Sequence, residues 1–165
     1  MLELLKETNP VLKQKAEPWD FENQFDAAVI ENEMLALMKS KNAIGLAANQ
    51  VGILRRIFVM RTQDGREFGC FNPEIVSYTT DPVDGEEGCL SFPNLWLKIK
   101  RHNKITAAYL DNAGKQCIIE LENIDARCFQ HELDHLDGVT FTEYVSSLKL
   151  QIARKKQRKL NGRTE

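Results

Sequence analysis

The chain has 165 residues, 42% of them apolar and 28% charged, with a formal net charge of −2. That describes one ordinary globular domain, able to bury about two-thirds of its unfolded surface, and its overall charge calls for neither nucleic acid nor a membrane. No apolar run approaches a membrane span, and Met1-Leu2-Glu3-Leu4-Leu5-Lys6-Glu7 is too short and acidic for a signal or transit peptide, so the cytoplasm is expected, with Cys70, Cys89, Cys117 and Cys128 reduced.

Asn9-Pro10 predicts a short helix from Val11 to Lys15, closed by Glu17-Pro18. Ala27, Ile30, Met34, Leu37 and Met38 form a helical stripe, which predicts a second helix from Phe25 to Lys39 with Glu31 and Glu33 on its polar face. In Ala43-Ile44-Gly45-Leu46-Ala47-Ala48-Asn49-Gln50, small residues at Gly45, Ala47 and Ala48 allow close approach of protein or ligand. Taken alone, that stretch reads as a tight loop beneath the core. Arg56 to Met60 reads as a strand, Asp64-Gly65 as a hairpin turn, and Phe68 to Tyr78 as a second strand interrupted at Asn72-Pro73. The following Asp-, Gly- and Glu-rich stretch reads as a loop running into Glu86-Glu87-Gly88-Cys89. Leu95, Leu97 and Ile99 alternate along a strand ending at Lys100. Lys104 to Leu110 and Lys115 to Leu121 then form a hairpin about Asp111-Asn112-Ala113-Gly114. Antiparallel strands flanked by helices make the fold class α+β, with sheets packed around a central helix.

That central helix carries Ile124, Cys128, His131 and His135 at three- and four-residue steps, and Gly138 stands where it would stop. His131 and His135 lie one turn apart on one face, able to hold a metal, with Glu132 beside them. A catalytic metal usually takes a third protein ligand. The position six after His135, a histidine in some metalloproteases, is Phe141 here, and Glu143 and Glu165 are badly spaced for a downstream glutamate ligand. His102 reads as a surface histidine on a strand edge. Cys89 stands out because Gly88 precedes it and Glu86-Glu87 make a turn-like approach, although Cys70, Cys117 and Cys128 compete. Cys70 and Cys117 fit strand patterns as buried small hydrophobes, and Cys128, one turn before His131, would line the adjoining pocket. From Glu143 the composition turns basic, with Lys149, Arg154, Lys155, Lys156, Arg158, Lys159 and Arg163, and Val145, Leu148 and Ile152 offer a narrow apolar stripe for docking. A solvated helix is the default for such a run, and an electrostatic contact with RNA phosphates is the alternative.

Together, Gly45-Leu46-Ala47-Ala48-Asn49-Gln50, Glu87-Gly88-Cys89-Leu90-Ser91 and Gln130-His131-Glu132-Leu133-Asp134-His135 resemble the three motifs of the peptide deformylases, in that family's order. The resemblance runs from Asn9-Pro10-Val11-Leu12 to the tail. It implies removal of the formyl group from the N-terminal formylmethionine of new polypeptides, with release of formate. Cys89, His131 and His135 would then hold the metal, Fe²⁺ first and Zn²⁺ second, and Glu132 would be the general base. Gln50 and the N–H of Leu90 would steady the developing oxyanion, and Gly45 would contact the substrate backbone. Ile44, Glu87, Ile124 and Cys128 would border the methionine pocket. Residues 1–143 would form the catalytic domain, and 144–165 a basic helical tail of the same domain that docks on the ribosome. Fe²⁺ beside Cys89 would be sensitive to oxygen. Two positions depart from the family pattern: Ala43, where a second glycine is frequent, and Trp96, where many bacterial members have arginine. The competing functions are a general metalloendopeptidase and a non-catalytic ribosome-associated module with a structural metal.

Overall fold

The computed structural model describes residues 2–22 and 26–162. Phe25, the expected first residue of the second helix, and Arg163 and Glu165 of the basic tail lie outside the described residues. Five antiparallel strands, β1 (Gly45–Ala47), β2 (Ile57–Arg61), β3 (Glu67–Tyr78), β6 (Lys104–Leu110) and β7 (Gln116–Glu122), form one sheet in the order β1-β2-β3-β6-β7. Strands β4 (Pro82–Cys89) and β5 (Phe92–His102) form a separate two-stranded ribbon. Helix α1 (Ala27–Ser40), helix α2 (Asn123–Leu136) and helix α3 (Ser147–Asn161) complete the α+β architecture. No helix among the described residues is long and apolar enough to cross a membrane.

Sheet and α2 share a core in which the rings of Phe58 and Phe129 meet edge to face at 5.0 Å. Helix α1 covers another part of the sheet with Ile30, Met34 and Met38, and Asp26 caps it through the N–H of Ala28 at 2.9 Å. Helix α2 runs as the periodicity predicts and ends where Gly138 adopts φ 73°, a left-handed conformation that suits glycine.

Several expectations are corrected. The first helix is a single 3₁₀ turn, Pro10–Lys13, capped by Asn9 through the N–H of Val11. The break at Asn72-Pro73 is an irregularity within one long strand: Asn72 has φ 47° and its side chain bonds both N and O of Trp19. The acidic, glycine-containing stretch before Cys89 is β4, not a loop. Its residues pair in register from Pro82 with His102 to Gly88 with Trp96, and one side of the ribbon faces water, where Asp84 and Glu86 are tolerated. Glu31 leaves the polar face of α1: it is buried and accepts hydrogen bonds from Gly69 N and Asn112 Nδ2, each at 2.5 Å. Cys70 is buried as expected, but Cys117 is only half-buried, on the edge strand β7.

Helix α3 docks by a different face from the one predicted. Leu148 and Ile152 are 65% and 64% exposed. Leu150 and Ala153 instead pack on Phe92, Leu95, Leu97 and Phe141, with Gln157 buried one turn further on. Of the expected stripe, Val145 does pack on that cluster, but Ser146 caps the helix through the N–H of Lys149, so Val145 precedes the first turn.

Candidate active site

Cys89, His131 and His135 bring one sulfur and two nitrogens within 4.8 Å of one another. The two imidazoles come from successive turns of α2, and the thiol from the end of β4. Cys89 Sγ lies 3.3 Å from His135 Nε2. A thiol and two imidazoles suit a borderline cation such as Fe²⁺ or Zn²⁺ and not a hard cation such as Mg²⁺ or Ca²⁺.

His131 and Cys89 are held from behind, whereas His135 Nδ1 is buried with no hydrogen-bond partner among the described residues. His131 Nδ1 donates to Glu87 Oε2 at 2.9 Å, which turns its other nitrogen toward the cluster. Glu87 in turn receives Arg101 Nε at 2.8 Å and Arg127 Nη1 at 3.1 Å, and Arg101 Nη1 reaches Asp134 Oδ2 at 2.5 Å. Asn49 Nδ2 donates to the carbonyl of His135. Gln50 Oε1 accepts the N–H of Ala47 at 2.9 Å, so its NH₂ faces Cys89 Sγ at 3.4 Å and Ser91 Oγ at 3.2 Å.

The electrostatics divide two neighbouring carboxyls. Burial alone would raise Glu87, but its hydrogen bonds from His131 and Arg101 outweigh this and hold it at about 2. Burial pushes Glu132 up to about 7, and its Oε2 has no hydrogen-bond partner among the described residues. Burial also lowers His131, yet the thiol of Cys89 and the carboxylate of Glu87 overcome it, so the net shift is upward. Burial, reinforced by the charges of His131 and Arg101, lowers His135 and keeps it neutral.

A cavity of about 570 Å³ opens onto the cluster. Gly45, Gln50, Glu87, Cys89, Leu90, His131 and Glu132 line it, with Ile44, Ile124 and Cys128 on its apolar side. His135, 1% exposed, lies beneath the lining. Gly45 faces Glu132: a Cβ there would collide with that carboxylate and stand 2.8 Å from Cys128 Sγ. The Cys128 thiol bonds the carbonyl of Ile44, and burial raises its pKa, so it presents a neutral surface. Glu87 borders the cavity, but its carboxylate is occupied by His131, Arg101 and Arg127. His102 stays apart, half-buried against Tyr78 and bonded to Thr80 O. Ala43 and Trp96 also line the cavity, Trp96 with its ring over Gly88. Sequence reasoning missed Arg101, Arg127, Asp134, Asn49 and Ser91. Asn49, Ser91 and Asp134 stood inside the three motifs without a role assigned to them, Arg101 continues the inward alternation of Leu95, Leu97 and Ile99, and Arg127 lies four residues before His131 on the same helical face.

Comparison with known proteins agrees with this geometry. The family model described as polypeptide deformylase matches residues 1–151. The chain is 39% identical over 160 residues to the peptide deformylase of Thermodesulfovibrio yellowstonii, covering 94% of this chain and 96% of that one. The crystal structure of a peptide deformylase from Legionella pneumophila superposes with a TM-score of 0.88 at 32% identity, over 99% of this chain and 97% of the other. A peptide deformylase from Synechococcus elongatus in complex with actinonin gives a TM-score of 0.87 at 33% identity, over 94% and 85%. With the family's three motifs gathered about one cavity, the chain belongs to the polypeptide deformylases.

Proposed function

We propose that Cys89, His131 and His135 hold one divalent metal and that Glu132 moves the protons of the deformylase reaction. That reaction is hydrolysis of the N-formyl group from the N-terminal formylmethionine of a new polypeptide, releasing formate. The observation that carries the assignment is the buried, unpartnered Glu132 oxygen beside three converging ligand atoms.

When bound, the metal lowers the pKa of the attacking water and polarises the formyl carbonyl. Glu132 takes a proton from that water and returns it to the departing amine, with its Oε2 buried and without a hydrogen-bond partner among the described residues. Gln50, fixed by its bond from Ala47, directs an N–H toward the forming oxyanion, and the N–H of Leu90 is the second donor. Gly45 leaves room for the substrate backbone next to Glu132. Ile44, Ile124 and Cys128 receive the methionine side chain, and Glu87 borders that pocket while orienting His131.

Fe²⁺ is the proposed native metal, with Zn²⁺ as the alternative, decided by metal analysis after anaerobic purification. The proposed location is the cytoplasm. Residues 1–143 are read as the catalytic domain and 144–165 as a tail of the same domain, in keeping with the packing of α3 on the Phe92–Phe141 cluster. That tail is the proposed ribosome contact. The metalloendopeptidase and structural-metal readings are not favoured, because the chain matches deformylases along most of its length.

Formate release from formyl-Met-Ala-Ser tests the assignment, using protein reconstituted anaerobically with Fe²⁺. Turnover is expected in the wild type and is lost in Glu132→Ala. Wild-type turnover in that variant, or none from folded, metal-bound wild-type protein, defeats it.

A further inference from the structure

Cys89 rides on the β4–β5 ribbon, whose strands, among the described residues, pair only with each other, whereas His131 and His135 ride on α2. Their three donor atoms converge only while ribbon and helix keep one relation. Arg127 spans that junction. It sits on α2 one turn before His131, with its side chain 11% exposed. Its Nη1 donates to Ile99 O at 2.8 Å and to Glu87 Oε1 at 3.1 Å, with a longer contact to Gly85 O at 3.4 Å. Its Nη2 donates to Val83 O at 2.9 Å. One guanidinium therefore grips β4 and β5 together, a task for a planar fork and not for the point charge of a lysine.

Gly85 makes this grip possible. It pairs with Ile99 across the ribbon, and a Cβ there would stand 2.6 Å from Arg127 Cζ and 2.7 Å from Nε. Gly85 is absent from the positive-φ glycines, so its lack of a side chain serves space, not backbone conformation.

We infer that Arg127, crossing over Gly85, is a positioning residue that docks the Cys89-bearing ribbon onto the histidine-bearing helix and so sets how tightly the metal is held. The inference rests on Cys89, His131 and His135 being the ligand set. Arg127 touches no reacting atom, and its effect passes through where Cys89 and Glu87 stand relative to α2.

Co²⁺ binding to the metal-free protein is the test, because thiolate bound to Co²⁺ adds a charge-transfer absorption that nitrogen and oxygen donors do not. The wild type shows that band and Cys89→Ala lacks it. Arg127→Met weakens Co²⁺ binding about ten- to hundredfold, the range for residues that orient metal ligands, and weakens the band. Gly85→Ala has a similar effect, since the added methyl displaces the guanidinium. The double variant binds no more weakly than Arg127→Met, because the methyl then has nothing to strike. Arg127→Lys restores only part of the affinity. Unchanged Co²⁺ affinity in Arg127→Met, even with a lower unfolding temperature, overturns the inference, and so do additive losses in the double variant. If Arg127→Met does not fold, unchanged affinity in both Gly85→Ala and Arg127→Lys overturns it. A wild type that binds Co²⁺ without the thiolate band refutes the ligand set first, and the positioning role with it.

Discussion

Helices α2 and α3 are nearly the same length, 14 and 15 residues, and both are rich in polar side chains, yet they treat them oppositely. Helix α2 buries Arg127, Gln130, His131, Glu132 and His135, whereas α3 buries only Gln157. Burying a polar group costs stability unless a partner replaces water. Arg127, Gln130 and His131 have such partners, in the ribbon carbonyls, the backbone of His102 and the carboxylate of Glu87. Glu132 Oε2 has none among the described residues. The exposed Lys155, Lys156, Arg158 and Lys159 of α3 carry no comparable penalty. The proposed chemistry therefore rests on a buried carboxyl with an unpartnered oxygen and not on the conspicuous charge run.

The sharpest way to break this contrast is to make Glu132 harmless. Glu132→Gln keeps the shape and removes the proposed proton shuttle, so formate release should fall on the order of 10³-fold. Gly45→Ala approaches the same carboxylate from β1. Its methyl would collide with Glu132, and a displacement of that kind costs about 10²-fold in turnover. Wild-type rates in Gly45→Ala would show that the Glu132 carboxylate can move without consequence.

The metal-free protein sharpens the same point through pH. The folded-state pKa of Glu132 is raised by burial to about 7 from its ordinary value of 4.5, so its neutral form is the one favoured by folding. That contribution is fully present below pH 4.5 and is lost as pH rises through about 7. The loss amounts to about 3 kcal/mol, which Glu132→Gln should not show. Glu87 acts in the opposite direction: its depressed pKa of about 2 gives stability present above its ordinary value of 4.5 and lost as pH falls toward 2. Urea unfolding of chelated wild type and Glu132→Gln across this range checks both signs.

Much of this was legible because periodicity records which face an element buries. The stripe of Ile124, Cys128, His131 and His135 predicts α2, and the alternation of Leu95, Leu97 and Ile99 predicts β5. The convergence of Cys89, His131 and His135 was legible mainly through three motifs read together, since spacing alone left four cysteines in competition. What escaped was partnership. Asp84, Gly85 and Glu86 resemble a loop in composition, and only their register with Lys98, Ile99 and Lys100 makes them a strand. Glu31 looks like a surface acid until Gly69 and Asn112 meet it from 38 and 81 residues away. The docking face of α3 was misjudged because its inward stripe includes the small Ala153 and the polar Gln157, which only their contacts reveal, while Leu148 and Ile152 look apolar but stay exposed.

That misjudged face gives a smaller test. Gln157 donates to Pro93 O at 2.8 Å and accepts from Arg154 Nη1 at 2.9 Å, so Gln157→Leu should cost about 1–2 kcal/mol in denaturant unfolding. Ile152→Ser, on the exposed side, should stay within about 0.5 kcal/mol of wild type. Equal losses would return the docking role to the stripe through Leu148 and Ile152.

The smallest expected effect on chemistry is the most informative about α3. Lys155, Lys156, Arg158 and Lys159 are exposed, on a helix whose inward contacts run through Leu150, Ala153 and Gln157. Replacing all four with glutamine should leave formate release from a free peptide within about twofold of wild type, because exposed charges on this helix are screened by solvent. Binding to ribosomes is the property at stake. If these cations neutralise RNA phosphates, co-sedimentation should weaken and its dependence on salt should become shallower, since fewer counterions are released. Unchanged co-sedimentation would leave α3 as a solvated helix that braces the ribbon. A fall in free-peptide turnover would do more, since it would place solvated charge in the catalytic chemistry and erase the contrast with α2.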